Sequence, residues 1–428
     1  MSNLEELIER LCPDGVEYKT LTELFDTRNG YTPSKSKEEY WTNGTVPWFR
    51  MEDIRENGSI LSKAIQYVSE SAIKGSLFPA DSIIVATSAT IGQHALIRVP
   101  SLANQRFTYL VLKEEFKEQL DIMYIYYCCF KLDEYCKECL NQGNFASVDM
   151  KKFLKFKFPV PPLEVQREIV RILDNFAIAT TEIQQKLQEE LAARQKQYEY
   201  YRDLLLTFKP NESTILNERT NELELSGAIR WMKLGELCDY VDYRGKTPKK
   251  VDQGIFLVTA KNVRMGFIDY EKSKEYISKD DYLEVMRRGL PKIGDLLITT
   301  EAPCGNVALV DREDIALAQR IIKYRPKREN VNRNFLKHYL LSKEFQDVLQ
   351  KNATGGTVKG IKGSKLHELN VPVPPLEVQQ RIVDILDRFD TLCNDITSGL
   401  PAEIEARQKQ YEYYRDKLLT FKELKKEA

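Results

Sequence analysis

Over one long stretch of this chain, hydrophobic positions recur at alternating steps of three and four residues. Ile169, Leu173, Phe176, Thr180, Ile183, Leu187, Arg194, Tyr198, Tyr201, Leu205 and Phe208 follow that spacing, with the charged Glu190 filling one further position. A coiled-coil seam has this period. No Gly or Pro falls between Leu163 and Phe208, and Pro161 and Pro162 stand just ahead, where a first turn tolerates them. At 1.5 Å per residue the 46 residues would span roughly 69 Å, a strut rather than a core helix.

The stretch then returns. Pro159 to Lys209 and Pro372 to Lys422 align without a gap at an offset of 213, and 33 of the 51 positions are identical, including the blocks PVPPLEVQ and ARQKQYEYYRD. The same offset lays Lys19 to Leu24 over Met232 to Leu237 and Ser82 to Ile97 over Asp295 to Val310. Twice 213 is 426 of 428 residues, so the chain is a tandem duplication with a period far above that of solenoid repeats. The second strut carries Ser398-Gly399-Leu400-Pro401, which predicts a break into two helical segments.

Ahead of each strut lies a head of mixed pattern. Short β-type runs at Ser82 to Ala86 and Phe107 to Leu112, turn clusters at Asn29 to Ser34 and Trp41 to Trp48, and a helical stretch from about Leu120 to Leu140 predict an α+β head. The expected order is an N-terminal head over 1–158, a central helix over 159–209, a linker and second head over 210–371, and a distal helix over 372–428. The polar run Lys209 to Ser226 reads as the linker. Antiparallel packing of the two helices would bury both seams and relate the heads by a pseudo-two-fold axis. Duplex DNA has the same kind of axis, and dimeric readers touch half-sites about 34 Å apart. The heads diverge between the matched blocks, so their half-sites should differ.

Composition narrows the class. An apolar content of 42% lets each head bury a core, and no run of about 18 apolar residues is present. The opening MSNLEELIERL is acidic where a signal peptide is basic and then apolar, so the chain reads as cytoplasmic with its eight cysteines reduced and no membrane partner. A net charge of −1 does not by itself mark a nucleic-acid binder. Charge is local, however: Lys351, Lys359, Lys362 and Lys365 lie between Asp347 and Glu368 with no acid among them.

Signals of catalysis are missing from the sequence. No glycine-rich cofactor loop follows a first strand, and both double prolines lack the Asn/Asp and aromatic neighbours that an adenine methyltransferase uses on a flipped base. Tyr240 stands where a phosphate loop ending in Gly245-Lys246-Thr247 would need glycine, and Pro13-Asp14 lies too close to Glu17-Tyr18-Lys19 for a metal nuclease. Cys128, Cys129, Cys136 and Cys139 include a C-x-x-C, but Cys129, Leu132, Cys136 and Cys139 share one helical face and read as core. His94, His338 and His367 form no recognisable set.

With the repeats at Pro161 to Gln166, Pro374 to Gln379, Ala193 to Asp203 and Ala406 to Asp416, the openings GYTP at Gly30 to Pro33 and GKTP at Gly245 to Pro248, and the blocks Ser101 to Arg106 and Ala316 to Arg320, the chain resembles the specificity subunit of a type I restriction-modification system over essentially its whole length. The resemblance implies two target-recognition domains, each reading one part of a split double-stranded DNA site, with the helical pair setting the spacer. It implies two modification subunits, which carry S-adenosylmethionine and methylate adenine, and two motor and nuclease subunits using ATP and Mg. This chain would bind no cofactor and carry no catalysis. The rivals are a self-sufficient methyltransferase or nuclease, and a coiled-coil spacer whose heads bind protein.

Candidate DNA contacts are polar and turn-borne. Gln105, Arg106, Gln319 and Arg320 are the candidate base readers, since Arg pairs with guanine and Gln with adenine in the major groove; the recurrence of the dipeptide also fits a shared structural job. The loops Gln142 to Ser147 and Gly355 to Gly360 offer Gly143, Asn144, Gly356 and Thr357 for close backbone approach to phosphate, with Lys359 and Lys362 adding charge. Arg28, Lys35, Arg50, Arg244, Lys246, Lys249, Lys261 and Arg264, near the turn-rich openings, suit phosphate. In the struts, Arg194, Gln195, Tyr198, Glu199, Tyr201, Arg407, Gln408, Tyr411, Glu412 and Tyr414 are seam and flank residues. Their retention beyond what a seam requires points to a docking surface for partner subunits.

Overall fold

The computed structural model describes residues 2–141, 146–208, 215–216, 223–224, 229–243, 248–355, 358–394 and 398–424. They form two compact units, one of residues 1–185 with 405–428 and one of residues 186–404. Each unit therefore holds a head, part of the central helix and part of the distal helices.

In the first unit Glu17–Thr20 pairs antiparallel with Lys157–Val160, so the head closes on itself just before Pro161. Its main sheet runs in the order Phe25–Asn29, Phe107–Leu112, Ser82–Ala86, His94–Ile97, Ile60–Leu61. Ser82–Ala86 is buried at every position, as a strand covered on both faces must be. Alternate residues point to opposite faces. Ile83 and Val85 join a core with the helix Ile122–Glu138 and the start of the central helix, and Ile84 and Ala86 join a core with Trp48, Phe49 and Phe78. The four cysteines of the C-x-x-C region are free and buried, Cys128, Cys129 and Cys136 in the first of those cores.

The second unit repeats the plan. Arg230–Lys233 pairs with Asn370–Val373, and a sheet in the order Cys238–Asp242, Ile321–Pro326, Leu296–Thr300, Cys304–Leu309 stands between two cores. Leu296 and Ile298 face one, and Leu297 faces the other. A second four-stranded sheet carries Ile255–Val258 and Ile315–Leu317. Within the stretch expected to be linker, Ile215–Leu216 pairs with Leu223–Glu224.

The central helix runs from Leu163 to Leu206. The distal repeat is two helices, Leu376–Asn394 and Leu400–Leu418, the second with Pro401 in its first turn. Within the first unit Phe176 meets Tyr411 and Tyr414 edge-on at 5.6 and 5.8 Å, and Gln184 Nε2 donates to Gln408 Oε1 at 3.1 Å, an antiparallel pairing. Within the second, Tyr201 stacks on Phe389 at 5.6 Å. The predicted seam is buried at Ile169, Leu173, Tyr198 and Leu205, but Ile183 near its middle is 42% exposed, so the seam is not closed along its full length.

The glutamine ending each PVPPLEVQ block fixes strut to head. Gln166 Nε2 donates to the Gln119 and Pro161 carbonyls, and its Oε1 accepts from Asp121 N–H. Gln379 makes the same three bonds with Asn330, Pro374 and Asn332. Both side chains are fully buried. Among the described residues no helix is long and apolar enough to cross a membrane.

Candidate nucleic-acid interface

Each head brings its Gln-Arg turn and its glycine loop to the same strand end. In the first, Thr87 N–H donates to the Arg106 carbonyl at 3.0 Å, and the Thr87 carbonyl accepts from Val148 N–H at 2.9 Å. In the second, Thr300 N–H donates to the Arg320 carbonyl at 2.8 Å, and its carbonyl accepts from Ile361 N–H at 2.9 Å. Isolated bridges Ser88–Ser147 and Glu301–Gly360 repeat the match at positions 213 apart. The recurring arginine therefore has a backbone job common to both heads, which leaves its side chain available for a separate one.

In the first head Lys35, Arg50, Gln105 and Arg106 converge on one open concavity of about 820 Å³, lined also by Trp41, Trp48 and Glu52. The indoles meet edge-on at 5.0 Å, and each N–H is satisfied, Trp41 by the Ser34 carbonyl and Trp48 by that of Tyr31. Arg50 lies 5.7 Å from the Trp48 ring centre, and its Nε is buried without a hydrogen-bond partner. Gln105 Oε1 accepts from the Thr32 hydroxyl, which ties the GYTP turn to the Gln-Arg turn. Asn104 Oδ1 accepts from Arg106 N–H at 3.0 Å and stiffens that turn, while the Arg106 side chain stands exposed. The result is an aromatic-walled recess of mixed charge, with Lys35, Arg50 and Arg106 set against Glu38 and Glu52, the latter 3.9 Å from Arg50 Nε.

The remaining candidates fall into different settings. Arg28 donates to the Ser76 carbonyl at 2.7 Å and covers the Phe78 ring at 3.9 Å, a packed position rather than a free cation. Lys249, Lys261, Lys359 and Lys362 are exposed, and Arg264 is 3.5 Å from Asp269. Arg320 has φ +75° and its Nε lies 3.4 Å from Glu301 Oε2. Gly143, Asn144, Arg244, Lys246, Gly356 and Thr357 lie outside the described residues. Sequence reasoning passed over Lys151, Lys152 and Lys155, exposed just after the first glycine loop. At the offset of 213 only Lys152 is matched by a lysine, Lys365, so the repeat would have signalled that one position.

The strut candidates divide by exposure. Tyr198 is buried, its hydroxyl bonded to His338 Nδ1 at 3.0 Å; Tyr201, Arg194, Arg407, Tyr411 and Glu412 are half-buried. Gln195, Glu199, Gln408 and Tyr414 are exposed. The most exposed aromatics of the repeated block are Tyr200 at 64% and Tyr413 at 63%, which were not among the candidates. Each packs edge-on against the next tyrosine at 5.4 and 5.3 Å. Identical exposed tyrosines at matched positions are a stronger surface signal than seam residues, and only a face assignment separates the two.

A protein-family profile described as "Type I restriction modification DNA specificity domain" matches residues 13–193 and again 229–406. The EcoprrI type I restriction enzyme specificity subunit of Escherichia coli is 39% identical over 405 residues, 93% of this chain and 92% of that one. The EcoR124I/EcoR124II specificity subunit of Escherichia coli is 35% identical over 300 residues, 65% of this chain and 68% of that one. A solved chain from a type I restriction-modification system, studied for complex assembly and conformational transition, shares the fold with a TM-score of 0.61 at 17% identity, covering 96% of this chain and 98% of its own.

Proposed function

Because this chain belongs to the type I restriction-modification DNA specificity family, a non-catalytic DNA-recognition class, we propose that its two heads read the two unequal parts of one split duplex site at their Gln-Arg turns and glycine loops. The observation that carries this is the repeated strand end, where Thr87 and Thr300 each join a Gln-Arg turn to a glycine loop. Val148 and Ile361 anchor the loop side of each junction in its core, so the same frame presents different side chains in the two heads. Bases are read from the turn and the recess beside it; phosphates are held by lysines in or just after each loop, Lys151, Lys152 and Lys155 in one head and Lys359, Lys362 and Lys365 in the other.

Modification and restriction subunits, two of each, dock on the struts in this reading, and they bring S-adenosylmethionine, ATP and Mg. The exposed face of the repeated block, with Gln195, Glu199 and Tyr200 in one copy and Gln408 and Tyr413 in the other, is the docking surface. Exposed aromatic side chains are the usual anchors of such interfaces. The complex works in the cytoplasm, where the genome is.

The test is co-expression with the cognate modification subunit in a methylation-free host, followed by mapping of modified adenines. A split motif with a modified adenine in each part is the expected result. A stable complex that modifies nothing would count against the heads as readers, and Tyr200→Ala with Tyr413→Ala should weaken capture of the modification subunit at least tenfold.

A further inference from the structure

The two heads share the strand-end link to the arginine, Thr87 to Arg106 and Thr300 to Arg320, but not the charge around it. In the first, the Arg106 side chain has no carboxylate or carbonyl acceptor among the described residues and borders the recess. In the second, Arg320 Nε lies 3.4 Å from Glu301 Oε2. Glu301 stands where the first head has Ser88, and the backbone holds both in the same way, Ser88 bridged to Ser147 and Glu301 to Gly360. The turns themselves differ, since the first has one residue more, Asn104, and Arg320 sits at φ +75°; within that difference, the exchange of Ser88 for Glu301 supplies the acid beside Arg320 that Arg106 lacks among the described residues.

The two states suit different bases. A free guanidinium fork fits the O6 and N7 acceptors of guanine, while a carboxylate accepts from the N4 amino group of cytosine. A bare carboxylate would be repelled by DNA phosphates, and Arg320 offsets that repulsion by holding Glu301 beside it. An exposed ion pair of this kind has little worth in water but strengthens when a base edge displaces the solvent. Resting on the reading above, we propose that Arg106 reads a guanine in the half-site of the first head, and that Glu301, held by Arg320, reads a cytosine in the half-site of the second.

The experiment maps modified adenines with the co-expressed complex, for the wild type and for Arg106→Ala, Ser88→Glu and Glu301→Ser. For Arg106→Ala, one guanine of one half should become degenerate, with loss of roughly 5- to 150-fold discrimination at that base and the other half intact. Ser88→Glu, which gives Arg106 the partner that Arg320 has, should blur the same guanine. Glu301→Ser should relax a cytosine in the opposite half. An unchanged motif in Arg106→Ala, or changes by Arg106→Ala and Glu301→Ser in the same half, would overturn the assignment.

Should Arg106→Ala abolish methylation, competition binding of the complex with base-substituted duplexes decides. Equal weakening on every duplex marks a phosphate contact and sinks the proposal; loss confined to the guanine-bearing duplex supports it. A wild-type complex without any split motif would fail earlier, at the function itself.

Discussion

Tyr198 is identical in the two repeated blocks, but the groups it meets are not. In the second unit its hydroxyl bonds His338 Nδ1 at 3.0 Å, and His338 Nε2 bonds Asp387 Oδ1 at 2.7 Å. In the first, Tyr127 takes the place of His338 and donates to Asp174, the counterpart of Asp387, at 2.6 Å. The imidazole satisfies both neighbours when neutral, Nε2–H donating to the carboxylate and Nδ1 accepting from the tyrosine. Burial pushes His338 below the usual histidine value, outweighing the Asp387 carboxylate that pulls it up. With its folded value depressed, the contribution to stability is complete above the unfolded pKa of about 6.5 and is lost as pH falls below it through the folded value. Melting of the wild-type chain should therefore drop between pH 7.5 and 5, and His338→Tyr, which copies the Tyr127 arrangement of the first unit, should lessen that drop; an equal drop in both proteins would refute the linkage. Gln379 supports a second residue-scale prediction. Gln379→Leu strands the Asn332 N–H and removes a donor from the Pro374 and Asn330 carbonyls, a cost on the order of 3 kcal/mol that urea titration should register.

Among the elements, the chain's last described residues pack like part of the first head. Lys131 Nζ donates to the Leu419 carbonyl at 2.9 Å, the Tyr18 hydroxyl to that of Phe421 at 3.0 Å, and Val16 N–H to that of Lys422 at 2.8 Å. Gly15, at φ +112°, allows this approach, since a Cβ there would lie 2.3 Å from the Lys422 carbonyl oxygen. A chain ending at Leu418 should show faster amide exchange across Glu17–Thr20 than the full chain, with the second head unchanged; unaltered exchange would mean the tail is only laid on. Sequence alone could not reveal such docking, because partners 400 residues apart leave no local period. Where a local signal exists, the reading is close. The central helix ends two residues before Phe208, Ser82–Ala86 and Phe107–Leu112 are strands as read, and the distal repeat is two helices, the second starting at Leu400 within the predicted break. The buried role of Gln166 and Gln379 was hidden because a polar residue in an apolar block carries no period of its own. Arg106 and Val148 meet only through Thr87, so the meeting of turn and loop was equally out of reach.

The whole molecule poses an electrostatic question, since a chain of net charge −1 has to hold a polyanion. At physiological ionic strength fields between exposed charges fade over about 8 Å, so a phosphate senses nearby lysines and not the total. Lys359, Lys362 and Lys365 are exposed around the second head's loop, whereas acids such as Glu182, Glu189 and Glu199 are exposed on the central helix. Each lysine that neutralises a phosphate releases a counterion, and loss of one contact should reduce the slope of log affinity against log salt by about 0.9. Replacing Lys359, Lys362 and Lys365 with alanine should therefore flatten the slope measurably and weaken binding to all duplexes alike. The control is Lys186→Ala with two further alanines at exposed central-helix lysine or arginine positions outside the docking block, which alters net charge equally. Local geometry predicts an unchanged slope for the control. Equal flattening in both proteins would mean that long-range charge governs binding and that the loops do not touch phosphate.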